Sequence, residues 1–311
     1  MNLLFIFFGF LLLVIGGEFI VRSSVSISLK FKISKLVIGM TVVAFATSLP
    51  ELIVSVNAAL NNSPAIAINN VIGSNIANIA LVLSIISILS FIKVDKNFYR
   101  QDWPIMFGFS ILLTAFCITD RALSQMEGVI LVSSLFFFIY YSLKKSNNEL
   151  IVDDVDDKLV STSNTKIIIW LIISTVSLYF GAEFLVNGAV NFAKQINISE
   201  AVISVSIVAI GTSIPELAAS LIAIAKKEKG ISVGNLIGSN IFNIGSVLGI
   251  TAIIKPIQIA QEIIERDIIW MLFFALLLLF MSILPKRNVL GKLKGFAMLL
   301  LYFTFITLAF I

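Results

Sequence analysis

The sequence has no histidine, one cysteine and few charges, and each scarcity removes a class of function. Without histidine there is no imidazole to bind a transition metal or to move protons near neutral pH. Cys117, alone, closes no internal disulfide and builds no thiolate metal site. Charged residues are 13% of the 311 positions against 59% hydrophobic, which is too little charge to clothe a soluble domain of this length. The net charge of +4 is spread over short loops and gives no nucleic-acid footprint. An enzyme embedded in a membrane lacks its catalysts here, with no histidine, no paired intramembrane Asp and no Ser–base pair.

What the sequence has is long apolar runs, such as 2–29 and 268–284, sufficient to cross a hydrocarbon layer of roughly 30 Å as helices. Inside lipid the backbone must satisfy its own hydrogen bonds, and long non-alternating runs do so as helices, not barrel strands. The first run holds Glu18 and Arg22 and lacks a basic leader and a small-x-small cleavage site, so it reads as a retained span, not a signal peptide. Punctuation by Gly, Pro, Asn and charge predicts ten spans: 3–29, 35–60, 65–92, 103–119, 124–143, 166–193, 200–225, 231–254, 267–284 and 293–311. The expected organisation is a first half at 1–145 with five spans, a cytoplasmic linker at 146–165 and a second half at 166–311 with five spans. The fold class is all-α and polytopic.

Loop charge sets the expected orientation. With both termini outside, the inner loops collect Lys30, Lys32, Lys35, Lys93, Lys96, Arg100, Lys144, Lys145, Lys158 and Lys166, then Lys226, Lys227, Lys229, Lys286, Arg287, Lys292 and Lys294. The outer loops hold Arg121, Lys194, Lys255 and Arg266. One missed helix would scramble that alternation, so the bias also supports the span count.

The halves repeat each other. AFATSLPE at 44–51 answers AIGTSIPE at 209–216, and NVIGSNIANI at 70–79 answers NLIGSNIFNI at 235–244. Gly16-Gly17-Glu18-Phe19 answers Gly181-Ala182-Glu183-Phe184. One offset of 165 separates Glu51 from Glu216, Ser74 from Ser239 and Asn78 from Asn243. Five spans per half is odd, so the copies face opposite ways across the bilayer, an architecture of transporters with their site at the repeat interface.

The repeated residues are hard oxygen donors. Spacings of three and four put Thr47 and Ser48 on one helix face with Glu51, and Thr212 and Ser213 with Glu216. Ser74 with Asn78, and Ser239 with Asn243, keep a spacing of four on the next helix. Pro50 and Pro215 are expected to kink their helices and to free the carbonyls of Ala46 and Gly211. Gly73 and Gly238 are expected to allow close backbone approach. Counting from Ser34 at about 1.5 Å per residue places Thr47 and Glu51 roughly 20–25 Å along their helix, within the hydrocarbon zone. A carboxylate there costs several kcal/mol unless protonated or paired, and Arg22 is the only basic residue predicted within a span away from its first two positions. A metal ion or a proton is the expected partner of both glutamates. Six to eight irregular oxygens suit calcium better than magnesium, and absent Cys and His donors argue against zinc and copper.

On these motifs the chain resembles the calcium/cation antiporter superfamily, in its sodium/calcium exchanger branch. The motifs cover about a third of the chain, and the ten-span layout extends the resemblance over nearly all of it. The resemblance implies ten transmembrane helices as two inverted five-helix repeats, and an antiporter exchanging calcium for sodium by alternating access. It implies Glu51 and Glu216 as principal calcium ligands, flanked by sodium sites from Thr47, Ser48, Thr212, Ser213, Ser74 and Ser239. It implies carbonyl ligation by Ala44 and Ala209, with Asn78 and Asn243 completing the centre, and spans one and six sliding together. Asn243 departs from relatives that carry Asp, which removes a third central carboxylate and argues against potassium coupling. Proton-coupled exchange of calcium or another divalent cation stays open as the second reading, although that branch shows G-N-x-x-E in place of T-S-x-P-E.

The expected partners are calcium and sodium ions and the lipid bilayer, the expected state a functional monomer, and the expected place a cell (inner) membrane. Glu18 reads as paired with Arg22, Glu183 as its repeat counterpart. Asp153, Asp154, Asp156 and Asp157 lack the glycine and terminal Glu of a calcium-binding loop and read as a solvated linker.

Overall fold

Thirty consecutive residues, Asn2–Phe31, form the first helix, α1. At 1.5 Å per residue it measures about 45 Å, longer than the hydrocarbon layer, so it tilts or protrudes. The computed structural model of the chain describes residues 2–94, 96–146, 159, 161–196, 211–284 and 288–309. Among them the helices continue as α2 (Lys35–Thr47), α3 (Leu49–Leu60), α4 (Ala65–Leu89), α5 (Phe98–Asp120), α6 (Gln125–Ser146) and α7 (Asn164–Gln195). After these come α8 (Ile214–Ala225), α9 (Lys229–Ile254), α10 (Ile263–Ile283) and α11 (Lys292–Ala309). Among the described residues seven helices are long and apolar enough to cross a membrane, or eight if the bent pair α2–α3 is one span. The two other predicted spans are represented by α8 and α11. Most of the acidic linker lies outside the described residues, as does 200–210 of the seventh predicted span.

The repeat is visible as geometry. π-helical turns, each an i→i+5 widening that often marks a functional position, open at Asn78 in α4 and Asn243 in α9, and again at Phe98 in α5 and Ile263 in α10. Both pairs keep the offset of 165. Two short antiparallel ladders repeat as well. β1 (Ile92–Lys93) pairs with β4 (Val289–Leu290), and β2 (Ala122–Leu123) pairs with β3 (Ile257–Gln258).

The contacts of the chain gather into two units, and each takes helices from both sequence halves: Met1–Leu49 with Tyr141–Leu236, and Pro50–Tyr140 with Ile237–Ala309. In the first unit α1 and α7 lie antiparallel with backbones in contact. A Cβ at Gly16 would stand 2.9 Å from the Leu178 nitrogen, and one at Gly181 the same 2.9 Å from the Leu13 nitrogen. Leu13 and Leu178 are also 165 apart, so the two contacts are one contact seen from either repeat, as an inverted pair requires. Ile20, Val21, Leu178, Ala219 and Ala223 form the apolar core beside them.

In the second unit α6 meets α9 where a Gly128 Cβ would lie 2.7 Å from the Gly249 carbonyl. There α11 meets α4 at 2.7 Å between a Gly295 Cβ and the Ser84 carbonyl, and Ser84 is the repeat counterpart of Gly249. Small residues let helix backbones pack closely where lipid offers no hydrophobic drive between helices. In α4 and α9 83% of the apolar window is buried, against 28–39% in the other spanning helices, so these two are enclosed by protein and do not face lipid.

Candidate functional site

The motif residues sit where helices break. Between α2 and α3 the axis turns by 42° at Ser48, whose φ, ψ of −86°, 1° fall in the sparsely populated bridge region. Ser213, its counterpart, has −89°, 5°. In the first repeat the expected kink is present, but it lies two residues before Pro50. Pro50 and Pro215 stand in the first turn of a new helix, where a missing N–H costs no bond. The break exposes the end of one helix and the start of the next beside the hydroxyls.

Every described donor predicted from the sequence, apart from half-buried Thr212, is buried. Glu51 and Glu216 are 0% exposed, as are Thr47, Asn78, Ser239 and Asn243, with Ser48, Ser74 and Ser213 at 4% or less. Each glutamate lies in the first turn of the helix after a break, where the helix dipole favours negative charge. Buried polar atoms without a hydrogen-bond partner call for an explanation. Among the described residues they include the Oγ of Ser48 and Ser213, both amide atoms of Asn78 and the Oδ1 of Asn243.

In the first unit Asn235 of α9 joins the two repeats. Its Oδ1 accepts from the Thr47 hydroxyl at 3.0 Å, and its Nδ2 donates to Ser220 Oγ at 3.0 Å and to the Glu216 main-chain oxygen at 3.4 Å. Thr47 is thereby placed against the helix that carries Glu216. The Ala44 carbonyl accepts from the Ser48 amide at 2.9 Å and from the Thr47 hydroxyl at 3.4 Å; Ala209 lies outside the described residues.

In the second unit Asn75 has the joining role. Its Nδ2 donates to the Asn240 main-chain oxygen at 3.3 Å, and its Oδ1 accepts from Asn243 Nδ2 at 3.1 Å. Glu51, Ser74, Asn78, Ser239 and Asn243 belong to this unit. Asn70 donates to Ser55 Oγ at 3.2 Å, the bond that Asn235 and Ser220 repeat in the first unit. The close approach expected at Gly73 is not found: that glycine is exposed and a Cβ there meets nothing within 4 Å.

Sequence reasoning passed over Asn235 and Asn75, although both lie inside the repeated motifs. Asparagines preserved at the 165 offset in apolar helices were the available signal. Glu18 is paired with Arg22 as expected, Nε to Oε1 at 2.6 Å, and also takes Lys226 Nζ at 2.8 Å.

The profile of the family described as sodium/calcium exchanger protein matches residues 1–144 and 166–311. The chain belongs to that family. The exchanger-family chain is 32% identical to the inner membrane protein YrbG of Escherichia coli over 292 residues, 90% of each chain. It is 28% identical to the sodium/calcium exchanger MaX1 of Methanosarcina acetivorans over 297 residues, 84% of this chain and 85% of that one. A solved structure of the sodium-calcium exchanger NCX_Mj, soaked with Na+ and Sr2+, superposes with a TM-score of 0.82 at 32% identity over 99% of both chains. The protein is therefore a multi-pass membrane cation exchanger with the ten-helix inverted-repeat fold, and not an enzyme.

For this exchanger the unpartnered Asn78 amide yields a prediction. Replacing a buried, unsatisfied amide by an apolar group of similar shape is neutral or stabilising when the amide only fills space. Asn78→Leu is expected to unfold at or above the temperature of the parent if the amide only fills space, and a loss of cation-dependent stabilisation beside that unchanged stability would mark an amide that serves a ligand. Thermal unfolding read with and without cation separates the two effects.

Proposed function

We propose that the protein is a secondary active antiporter that exchanges calcium for sodium by alternating access. One observation carries the reading: a Thr-Ser pair whose serine is buried at the start of a helix, with a buried glutamate in that helix's first turn, occurs twice in a member of this family. Glu51 and Glu216 are the principal calcium ligands. Thr47, Ser48, Thr212, Ser213, Ser74 and Ser239 hold sodium, the carbonyls of Ala44 and Ala209 add oxygens, and Asn78 and Asn243 complete the centre. Two carboxylates balance one divalent ion or a small set of sodium ions, but not both loads together. That shared occupancy couples the fluxes.

The inverted repeats, 1–145 and 166–311, supply one half-site each, and the 146–165 linker is cytoplasmic. Seventeen basic residues in the odd-numbered connections against four in the others support termini outside a cell (inner) membrane. Spans one and six, here α1 and α7 with their close glycine contacts, suit a pair that slides together. A monomer carries the complete set of donors.

The test is isotopic calcium uptake into vesicles holding the purified protein. Uptake is expected when internal sodium exceeds external sodium, and is expected to stop when the sodium gradient is collapsed. Uptake that ignores sodium but follows a pH gradient in sodium-free medium replaces sodium by protons as the coupling ion.

A further inference from the structure

The amides of Asn75 and Asn235 share an arrangement with chemical direction. A main-chain carbonyl can only accept a hydrogen bond. The Asn240 carbonyl therefore requires Asn75 to turn its Nδ2 toward it, at 3.3 Å. That leaves Asn75 Oδ1 for Asn243, which must answer with its own Nδ2, at 3.1 Å. The amide hydrogens of Asn243 are thus directed into the protein, and its buried Oδ1, without a hydrogen-bond partner among the described residues, is the atom left for a ligand. The first unit repeats the sequence of constraints. The Glu216 carbonyl and Ser220 take the Nδ2 of Asn235, and Asn235 Oδ1 takes the Thr47 hydroxyl hydrogen at 3.0 Å, nearer than the 3.4 Å to Ala44. The Thr47 hydroxyl proton is thereby committed to Asn235.

We infer that Asn75 and Asn235 are positioning residues that set hydrogen-bond polarity, so that Asn243 and Thr47 present oxygen lone pairs, and no hydrogens, to a cation. The inference rests on the proposed binding roles of Asn243 and Thr47. An amide has two nearly equal faces, and a flipped Asn243 would aim its NH2 at the ion and repel it. The polarity comes from backbone carbonyls, which cannot flip without breaking the helix. Both asparagines are buried, at 1% and 0% exposure, so water is not at hand to serve as a substitute donor. Around Asn75 the packed elements carry Glu51 in α3 and Glu265, Arg266 and Asp267 at the start of α10 as ionisable groups, and α10 otherwise offers Met271 Sδ at 4.0 Å. Around Asn235 they carry Lys35 at the start of α2, Glu216 in α8, and Glu18 with Arg22 in α1.

The experiment uses the full-length protein and the isosteric variants Asn75→Asp and Asn235→Asp. A carboxyl oxygen facing a backbone carbonyl supplies the donor only while it holds a proton. Calcium uptake and calcium affinity of Asn75→Asp are expected to be about ten- to a hundredfold down at alkaline pH, the loss of a buried hydrogen bond and its ligand orientation. Both are expected to climb toward the parent as pH falls, while the parent does not climb. Asn75→Leu is expected to stay low at every pH.

A purely structural role for Asn75 would lower stability without that inverted pH profile. An Asn75→Asp protein that equals the parent at all pH, or binds calcium more tightly at alkaline pH, overturns the inference. Should Asn75→Asp not survive purification, Asn235→Asp gives the same reading through Thr47, measured as calcium-induced and sodium-induced thermal stabilisation. A parent that neither takes up nor binds calcium overturns the proposed exchange; a parent that does, with variants that track it across pH, overturns the positioning role alone.

Discussion

Vesicles carrying Glu51→Gln or Glu216→Gln are expected to take up calcium no faster than vesicles without protein. Glutamine keeps the length and volume of the side chain, so the change is one of charge. A unit charge about 4 Å from another is worth about 4 kcal/mol at the effective dielectric of a protein site, and a divalent ion at contact distance gains more. Removing one carboxylate therefore lowers calcium affinity by about a thousandfold. Both glutamates are fully buried, which removes the option of hydration for the ion. Glu51→Asp and Glu216→Asp keep the charge but retract it by one methylene, and partial activity is the expected result. Undiminished uptake in either glutamine variant would remove that residue from the site.

The second large effect concerns assembly. Gly234 in α9 is so near α2 that a Cβ would stand 2.2 Å from the Leu36 carbonyl oxygen and 2.9 Å from the Met40 nitrogen. From the other side a Gly39 Cβ would lie 2.6 Å from the Ile231 carbonyl. The obstacles are backbone atoms of packed helices and have no rotamer with which to yield. Overpacking costs about 1–3 kcal/mol and occasionally more, and rigid backbone obstacles put this case at the upper end. Gly234→Val is expected to give little monodisperse protein on size-exclusion chromatography, and Gly234→Ala a protein that unfolds at clearly lower temperature. Gly73→Ala, where a Cβ meets open space, is the control and is expected to unfold close to the parent. Equal stability of Gly234→Ala and Gly73→Ala would show that the α2–α9 crossing is not the constraint argued here.

The ten spans, the repeat and the polar residues that end up buried could be read from the chain alone, because each depends on information local to a segment. Glu51 and Glu216 stand out because a carboxylate in an apolar run is costly wherever the run ends up. The predicted break near Pro50 follows from a missing N–H and from the clash of the ring with the carbonyl four residues earlier, although its position does not: Leu49 already belongs to the new helix, and the turn falls on Ser48. Gly73 shows the limit of local reading. A glycine permits close approach, but whether a neighbour comes near is decided elsewhere in the chain.

Composition and pattern by themselves determined that this is an all-helical membrane protein of two inverted repeats with paired acidic and hydroxyl residues. Burial of apolar runs in lipid and the doubling of a motif are properties that a linear sequence carries in full. Tertiary structure alone decided that Asn75 meets Asn243, that Asn235 bridges Thr47 to the Glu216 helix, and that the compact units draw from both halves. Asn75 and Asn243 stand 168 positions apart, and Thr47 and Asn235 188. Which of two chemically similar atoms faces which is settled by the direction of a neighbouring helix's carbonyls, a quantity that exists only once the helices have packed.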